Sequence, residues 1–265
     1  MLTETLNINR KEKDVWIFNK KSKPKPSQVY DTYWKFAAER QNVFLSKLKG
    51  EKFPWTTDRI ISEHKFTNVY RAADRVSQYL IKEVIYKGSQ EPKEIFFRII
   101  LFKIFNRIST WKLLKEEVGE ITLDQYSFDD YSAFLNSLLN KKKPIYSAAY
   151  IMASGGSYFG RARKHENHLK LIEKMISEDL PLKLQESQSM EEMYSLLLSY
   201  PTIGEFLAYQ YATDLNYSPI TNFSELEFVK AGPGAKDGIR KCFSDFGDYS
   251  YEDIIHMMVE LQDQE

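Results

Sequence analysis

Apolar side chains recur along this chain mostly three and four residues apart, the period of a buried helix face, and runs that alternate residue by residue are few. The pattern predicts an all-α fold. Ser27 is placed to cap a helix through about Lys49 that carries Tyr30, Tyr33, Trp34, Ala37, Ala38 and Phe44, with Gly50 to end it. Asn68 is placed to cap a long helix stopped by Gly88, with Val69, Ala72, Ala73, Val76, Leu80 and Val84 on its apolar side. EIFFRIILFKIFNRISTWKLL is the most apolar stretch and reads as the central core helix plus a turn, since Arg98, Lys103 and Arg107 interrupt it too often for a membrane span. Further helices are expected around 131–140, 164–178, 189–199, 203–213, 234–243 and 251–263. IMASGGSYFGRARKH, with three glycines and two aromatics, reads as a mobile loop between two lobes. The expected organisation is a basic arm over 1–27 and a helical domain over 28–265, its lobes being roughly 28–160 and 161–265.

Composition narrows the function. With 43% hydrophobic residues over 265 positions there is apolar surface for a substantial core or two lobes sharing a cleft. Lys+Arg and Asp+Glu both number 37, which excludes a uniformly basic coat but not a local basic face. Arg10, Lys11, Lys13, Lys20, Lys21, Lys23 and Lys25 crowd the N-terminal arm, which either grips a phosphate backbone or is a solvated lead-in. From Asp245 onward the chain has seven acids and no Lys or Arg. The single cysteine, Cys242, rules out an internal disulfide and Cys-rich metal sites. No signal peptide or membrane span is evident, so a cytoplasmic protein is expected. His165 and His168 stand three apart without a third ligand, and neither a metal nor a cofactor is expected. GxxxxGK[ST] is absent, which argues against kinase activity within this chain.

The most informative stretch is SMEEMYSLLLSYPTIGEFLAYQYATDL. Ser189 and Glu192 form a possible capping box for one helix, the turn YPTIG follows, and a second helix opens at Glu205. This is the pattern of a helix–hairpin–helix, whose Gly204 allows close backbone approach and whose following amides can bind a DNA phosphate; an ordinary αα-hairpin is the alternative. In AGPGAKDGIRK, Gly232, Gly234, Lys236 and Arg240 read either as a second phosphate-binding glycine hairpin or as a helix-initiating turn. Arg71, Asp74, Arg75 and Gln78 share a polar helix face with Asn68. Either Asn68, Tyr70 and Gln78 contact an everted base while Arg71 and Arg75 hold phosphate, or the face is solvated and internally salt-bridged. Tyr146, Tyr150, Tyr158 and Phe159 flank the glycine loop as candidate wedges into the stack or as core aromatics.

Several phrases, KFTNVYRAADRVSQYLI, RIILFKIFN, YPTIGEFLAYQYATDLNYS and FSELEFVKAGPGAKDGIRKCF, resemble the DNA-glycosylase-like helical domains grouped with 5-hydroxymethyluracil DNA kinases and α-glutamyl/putrescinyl-thymine pyrophosphorylases. The resemblance covers about residues 57–255. It implies an all-α, two-lobed helix–hairpin–helix glycosylase-like fold with a cleft, acting by base flipping on double-stranded DNA with modified bases; protein partners stay open. In such glycosylases a catalytic carboxylate follows the hairpin glycine at the start of another helix. Glu225 and Glu227 lie 21 and 23 residues after Gly204, and Asp214 lies 10 after it. A carboxylate is what N-glycosidic cleavage needs, to stabilise the positive charge that develops on the sugar. Glu227 is the first candidate, Asp214 the second and Glu225 the third. The position of the Schiff-base lysine of bifunctional members is Phe206 here, which favours a monofunctional hydrolase. The expected activity is therefore excision of a hypermodified pyrimidine, such as a hydroxymethylated or glucosylated base of phage DNA, to leave an abasic site in antiphage defence. The rivals are a transferase or pyrophosphorylase on hypermodified thymine in intact DNA, and a non-catalytic module that binds modified DNA.

Overall fold

The computed structural model describes residues 22–148 and 152–265. The arm residues Arg10, Lys11, Lys13, Lys20 and Lys21 lie outside them, as does Tyr150. In chain order the elements are β1 (Lys25–Pro26), α1 (Tyr30–Leu48), α2 (Arg59–Glu63), a 3-10 turn (Arg71–Ala73), α3 (Arg75–Tyr79) running into a π-helical turn (Leu80–Ile85), α4 (Pro92–Phe105), α5 (Ile108–Val118), α6 (Phe128–Asn140), α7 (Gly156–Phe159), α8 (Lys164–Ser177), α9 (Leu180–Glu186), α10 (Met190–Leu198), α11 (Glu205–Asn216), α12 (Pro233–Cys242), β2 (Phe243–Asp245) and α13 (Tyr251–Leu261). The fold is all-α apart from the short β1–β2 pair.

By contacts the chain divides into residues 22–39 with 231–265, and residues 40–230. The lobe boundary expected near residue 160 falls inside the second unit, between α7 and α8, which pack together. In the first unit β1 pairs antiparallel with β2, and Tyr30, Ile239, Cys242, Phe243, Ile254 and Met257 form a small core. Gly247 is required there: its φ is +57°, and a Cβ would sit 2.3 Å from the Ser22 carbonyl oxygen. Ser250 and Asp253 make a capping box on α13. Several of the C-terminal acids are used locally. Glu252 accepts from the Ala231 amide at 2.9 Å, Asp248 from the Ser22 amide at 3.0 Å, and Glu265 from the Tyr30 hydroxyl at 3.0 Å.

The unit of residues 40–230 is built around α4. Every residue from Ile95 to Phe105 is buried, because α5, α8, α9, α11 and the π-helical turn surround the helix. Two cations are buried with it. Arg98 donates to the carbonyls of Val84, Ile85 and Ser89, satisfying acceptors that the end of the π-helical turn leaves open. Lys103 belongs to the site described below.

The helix expected from Asn68 starts later than its periodicity implies. The Asn68 amide donates to Asp74 Oδ1 at 2.7 Å and its side chain to the Ala73 carbonyl at 2.7 Å, closing a turn over 68–74. Asp74, with extended backbone, is the residue that precedes α3. The short polar side chains compete successfully with helix hydrogen bonds. The glycine-rich loop is also held rather than loose. Asn167 bonds the Arg161 amide and the carbonyls of Arg161 and Arg163, while Gly155 adopts φ +72° against Thr202 and Asn167. His168 donates from Nε2 to the Ala153 carbonyl at 2.8 Å and accepts the Tyr146 hydroxyl at Nδ1 at 2.9 Å. Burial, the largest influence, pushes its pKa down to about 4, so the ring is neutral at pH 7. Both of its nitrogens are committed to protein partners. Phe159 and Tyr146 pack on the core, and Tyr158 is exposed.

Candidate functional site

A cleft of about 720 Å³ opens in the unit of residues 40–230. Its walls carry Arg40, Lys47, His64, Lys65, Arg71, Arg75 and Lys103 against one acid, Asp74. In a chain of zero formal charge this is a strong local excess of positive charge. Arg40, from α1, braces one wall through hydrogen bonds to the Thr67 carbonyl and hydroxyl. The turn closed by Asn68 and Asp74 forms another, and the C-terminal end of α4 supplies Lys103 and Asn106.

Asp214 stands behind this floor, almost wholly buried near the end of α11. Arg71 donates to its Oδ1 at 2.6 Å and to the Gln210 carbonyl at 3.2 Å, with a further bond to the Gln210 side chain. Lys103 lies 3.0 Å from the other carboxylate oxygen, Oδ2, and donates to Asn106 Oδ1 at 2.9 Å. Each carboxylate oxygen therefore faces its own cation. Burial, the dominant influence, lowers the Lys103 pKa from its usual value, with Asp214 pulling it back up and Arg71 pressing it down. Arg71, which stays charged, and Lys103 both line the cleft. Such a floor attracts an anionic or electron-rich group; the carboxylate itself is screened from the cavity by its partners.

Glu225 and Glu227 stand differently. They lie in a turn over 225–227, with the Glu227 amide donating to the Ser224 carbonyl at 3.1 Å, and the next helix, α12, does not begin until Pro233. The expected helix start beneath these acids is therefore absent. The cause is local: Ser224 caps a single turn, and Gly232 with Pro233 sets the true helix start further on. Both glutamates are exposed. Even so, desolvation raises the Glu225 pKa, with Arg71 opposing the shift and Asp214 adding to it, so this carboxyl feels the cluster.

The hairpin is present: α10, capped by Ser189 accepting the Glu192 amide at 3.1 Å, packs against α11 through the turn at 199–204. Its left-handed residue is Thr202, at φ +69°, whereas Gly204 has ordinary extended backbone and open space where a Cβ would stand. AGPGAKDGIRK is a helix-initiating turn, with Gly232 at the cap, Pro233 in the first turn and Gly234 inside α12. Lys236 and Arg240 both lie over the Tyr251 ring, and Arg240 also donates to the Tyr251 hydroxyl at 3.0 Å. These residues belong to the other unit. Of the polar face, Asn68, Arg71 and Arg75 line the cleft. Gln78 turns back to the Ala72 carbonyl at 2.6 Å, and Tyr70 is exposed outside the lining. Sequence reasoning missed Lys103, Asn106 and the basic residues Arg40, Lys47 and Lys65. A lysine inside so apolar a helix was the available signal, since a buried ammonium needs a partner.

No described helix is long and apolar enough to cross a membrane, and no cluster of three or more metal-ligating side chains occurs among the described residues. The family profile described as 5-hmdU DNA kinase, helical domain, matches residues 27–265. A curated relative, the 5-hmdU DNA kinase of Bacillus phage SP10, is 27% identical over 254 residues, which is 88% of this chain but 39% of the relative's length. No solved structure matches. A kinase is a transferase, and this relative overturns the expectation of a monofunctional DNA glycosylase hydrolysing N-glycosyl bonds. Among the three carboxylates counted from Gly204, the most enclosed, Asp214, is paired with two basic side chains. The resemblance seen in the sequence phrases is thus borne out at the level of the family: the chain belongs to the 5-hmdU DNA kinase helical domains.

Proposed function

We propose that this chain engages DNA carrying 5-hydroxymethylated pyrimidines and leaves that DNA intact, serving group transfer to the base substituent rather than removal of the base. The observation that carries this reading is the concentration of Arg and Lys around a single cleft in an otherwise neutral chain. Arg75, Lys47 and Lys65 at the walls would hold phosphates, and Arg71 and Lys103 at the floor would face the modified base. Family membership and the SP10 relative's name support modified DNA as the ligand. GxxxxGK[ST] is absent from the sequence, so the role assigned to these residues is recognition of the DNA rather than cradling of a nucleotide triphosphate.

The test is a fluorescence titration of the full chain with two duplexes that differ only in carrying 5-hydroxymethyluracil or thymine at one position, repeated between about 50 and 200 mM salt. Tighter binding to the modified duplex, with affinity falling steeply as salt rises and no alkali-labile site in the recovered DNA, is expected. Equal affinity for the two duplexes would refute recognition of the modification.

A further inference from the structure

Six of the fifteen exposed large apolar side chains among the described residues fall between Leu48 and Tyr70. Phe53 is 70% exposed and Tyr70 53% exposed; Leu48, Ile60, Phe66 and Val69 complete the set. Exposed apolar side chains gathered within one segment mark a candidate interaction surface. The segment is not frayed chain. Trp55 Nε1 donates to the Glu51 carbonyl at 2.8 Å, Thr56 accepts the Asp58 amide at 2.9 Å, and Asp58 caps α2 by accepting the Ile61 amide at 2.9 Å. These bonds fix the backbone around Phe53 and Trp55.

Charge identifies the occupant. Lys47, Lys49, Lys52, Arg59 and Lys65 are interleaved with these rings, and Lys47 lies 4.7 Å from the centre of the Trp55 ring. Three acids, Glu51, Asp58 and Glu63, stand among them, with Glu63 paired to Arg59 at 2.8 Å, so the segment keeps an excess of cations. Lys47, Ile61, Lys65 and Phe66 also line the cleft, so part of this strip borders it, with Phe53 and Tyr70 outside the lining. Aromatic faces alternating with cations suit a nucleic-acid strand whose bases are unstacked, because every base then offers a flat face while its phosphates meet the lysines. In an intact duplex those faces are hidden in the stack and only groove edges are available.

We infer that the strip from Leu48 to Tyr70 is a stacking platform for unpaired DNA bases flanking the modified nucleotide. A strand whose modified base enters the cleft would lay its neighbours across Phe53 and Tyr70. The inference rests on the DNA-binding reading above and adds a requirement that reading does not make: preference for locally unpaired DNA.

The test uses the full chain and fluorescence anisotropy with one sequence containing 5-hydroxymethyluracil in three forms: full duplex, duplex with an unpaired bubble around the modified base, and single strand. The bubble and single strand are expected to bind roughly tenfold more tightly than the duplex. Phe53→Ala combined with Tyr70→Ala should close that gap, and Phe53→Trp should keep it open. Both side chains are exposed, and circular dichroism checks that the variants fold. Equal affinity for duplex and bubble, or a gap that survives the double substitution, overturns the platform while leaving DNA binding standing. Absence of binding to all three forms overturns both readings.

Discussion

Asp214 and Glu227 enter as rival carboxylates counted from the same glycine, yet their surroundings have little in common. Asp214 is sealed behind Arg71 and Lys103 at the back of a cationic cleft, while Glu227 sits on an exposed single turn ahead of α12. Spacing from a motif places an acid along the chain, but its environment is made by residues distant in sequence. Arg71 lies 143 positions from Asp214 and reaches it from the turn that Asn68 and Asp74 close. The comparison teaches that the buried acid serves to hold Arg71 and Lys103 in place, and that these two side chains, rather than Asp214, face the cavity.

The largest effect expected from this contrast is on stability. Asp214→Ala leaves Lys103 and Arg71 without their counter-charge and should cost about 3–5 kcal/mol in urea denaturation. A loss under about 1 kcal/mol would mean that the cluster is not the tie its geometry indicates. Lys103→Met should cost less, about 1–2 kcal/mol, because Arg71 still partners the carboxylate.

The same substitution sharpens the comparison through pH. Burial lowers the Lys103 pKa below its unfolded value of 10.5, so between the two values the unfolded chain holds a proton that the folded one lacks. The Lys103 contribution to stability therefore rises as pH climbs through that window, and is at its least favourable below the folded pKa. Denaturation of wild type and Lys103→Met across pH 8 to about 10.5 should show the wild type gaining relative to the variant. A constant difference would show that the lysine is not desolvated.

At the cleft wall, Arg75→Glu should weaken DNA binding about tenfold and flatten its salt dependence, with little change in stability since the side chain is exposed. Smallest of all, Glu227→Gln should leave stability within about 0.5 kcal/mol of wild type by the same urea measurement. A large loss there would erase the distinction between the two acids.

What could be read from the sequence was local. Helices α10 and α11 were legible because Ser189, the YPTIG turn and the helical period all act within a few residues, and the core helix α4 followed from its apolar run. The site was only half legible. Arg71, Arg75 and Asn68 were expected on one helix face; all three line the cleft, but from a turn that depends on side-chain bonds from Asn68 and to Asp74, which periodicity cannot show. Lys103 and Asn106 were hidden because they sit in the most hydrophobic part of the chain, where a core reading is natural, and Asp214, the partner of Lys103, lies on another helix. Arg98, buried nearby, completes a backbone turn instead, so burial of a cation alone did not distinguish a site from a structural tie.

The central claim is that the cleft lined by Arg71, Arg75 and Lys103 receives the modified base. The most direct measurement is photocross-linking of the full chain to DNA carrying a photoreactive 5-iodouracil at the modified position, with the linked peptides mapped by mass spectrometry. Cross-links within residues 64–77 or 103–106 are predicted. Links concentrated instead at 141–143 or 174–183, with the cleft peptides unmodified, would contradict the account.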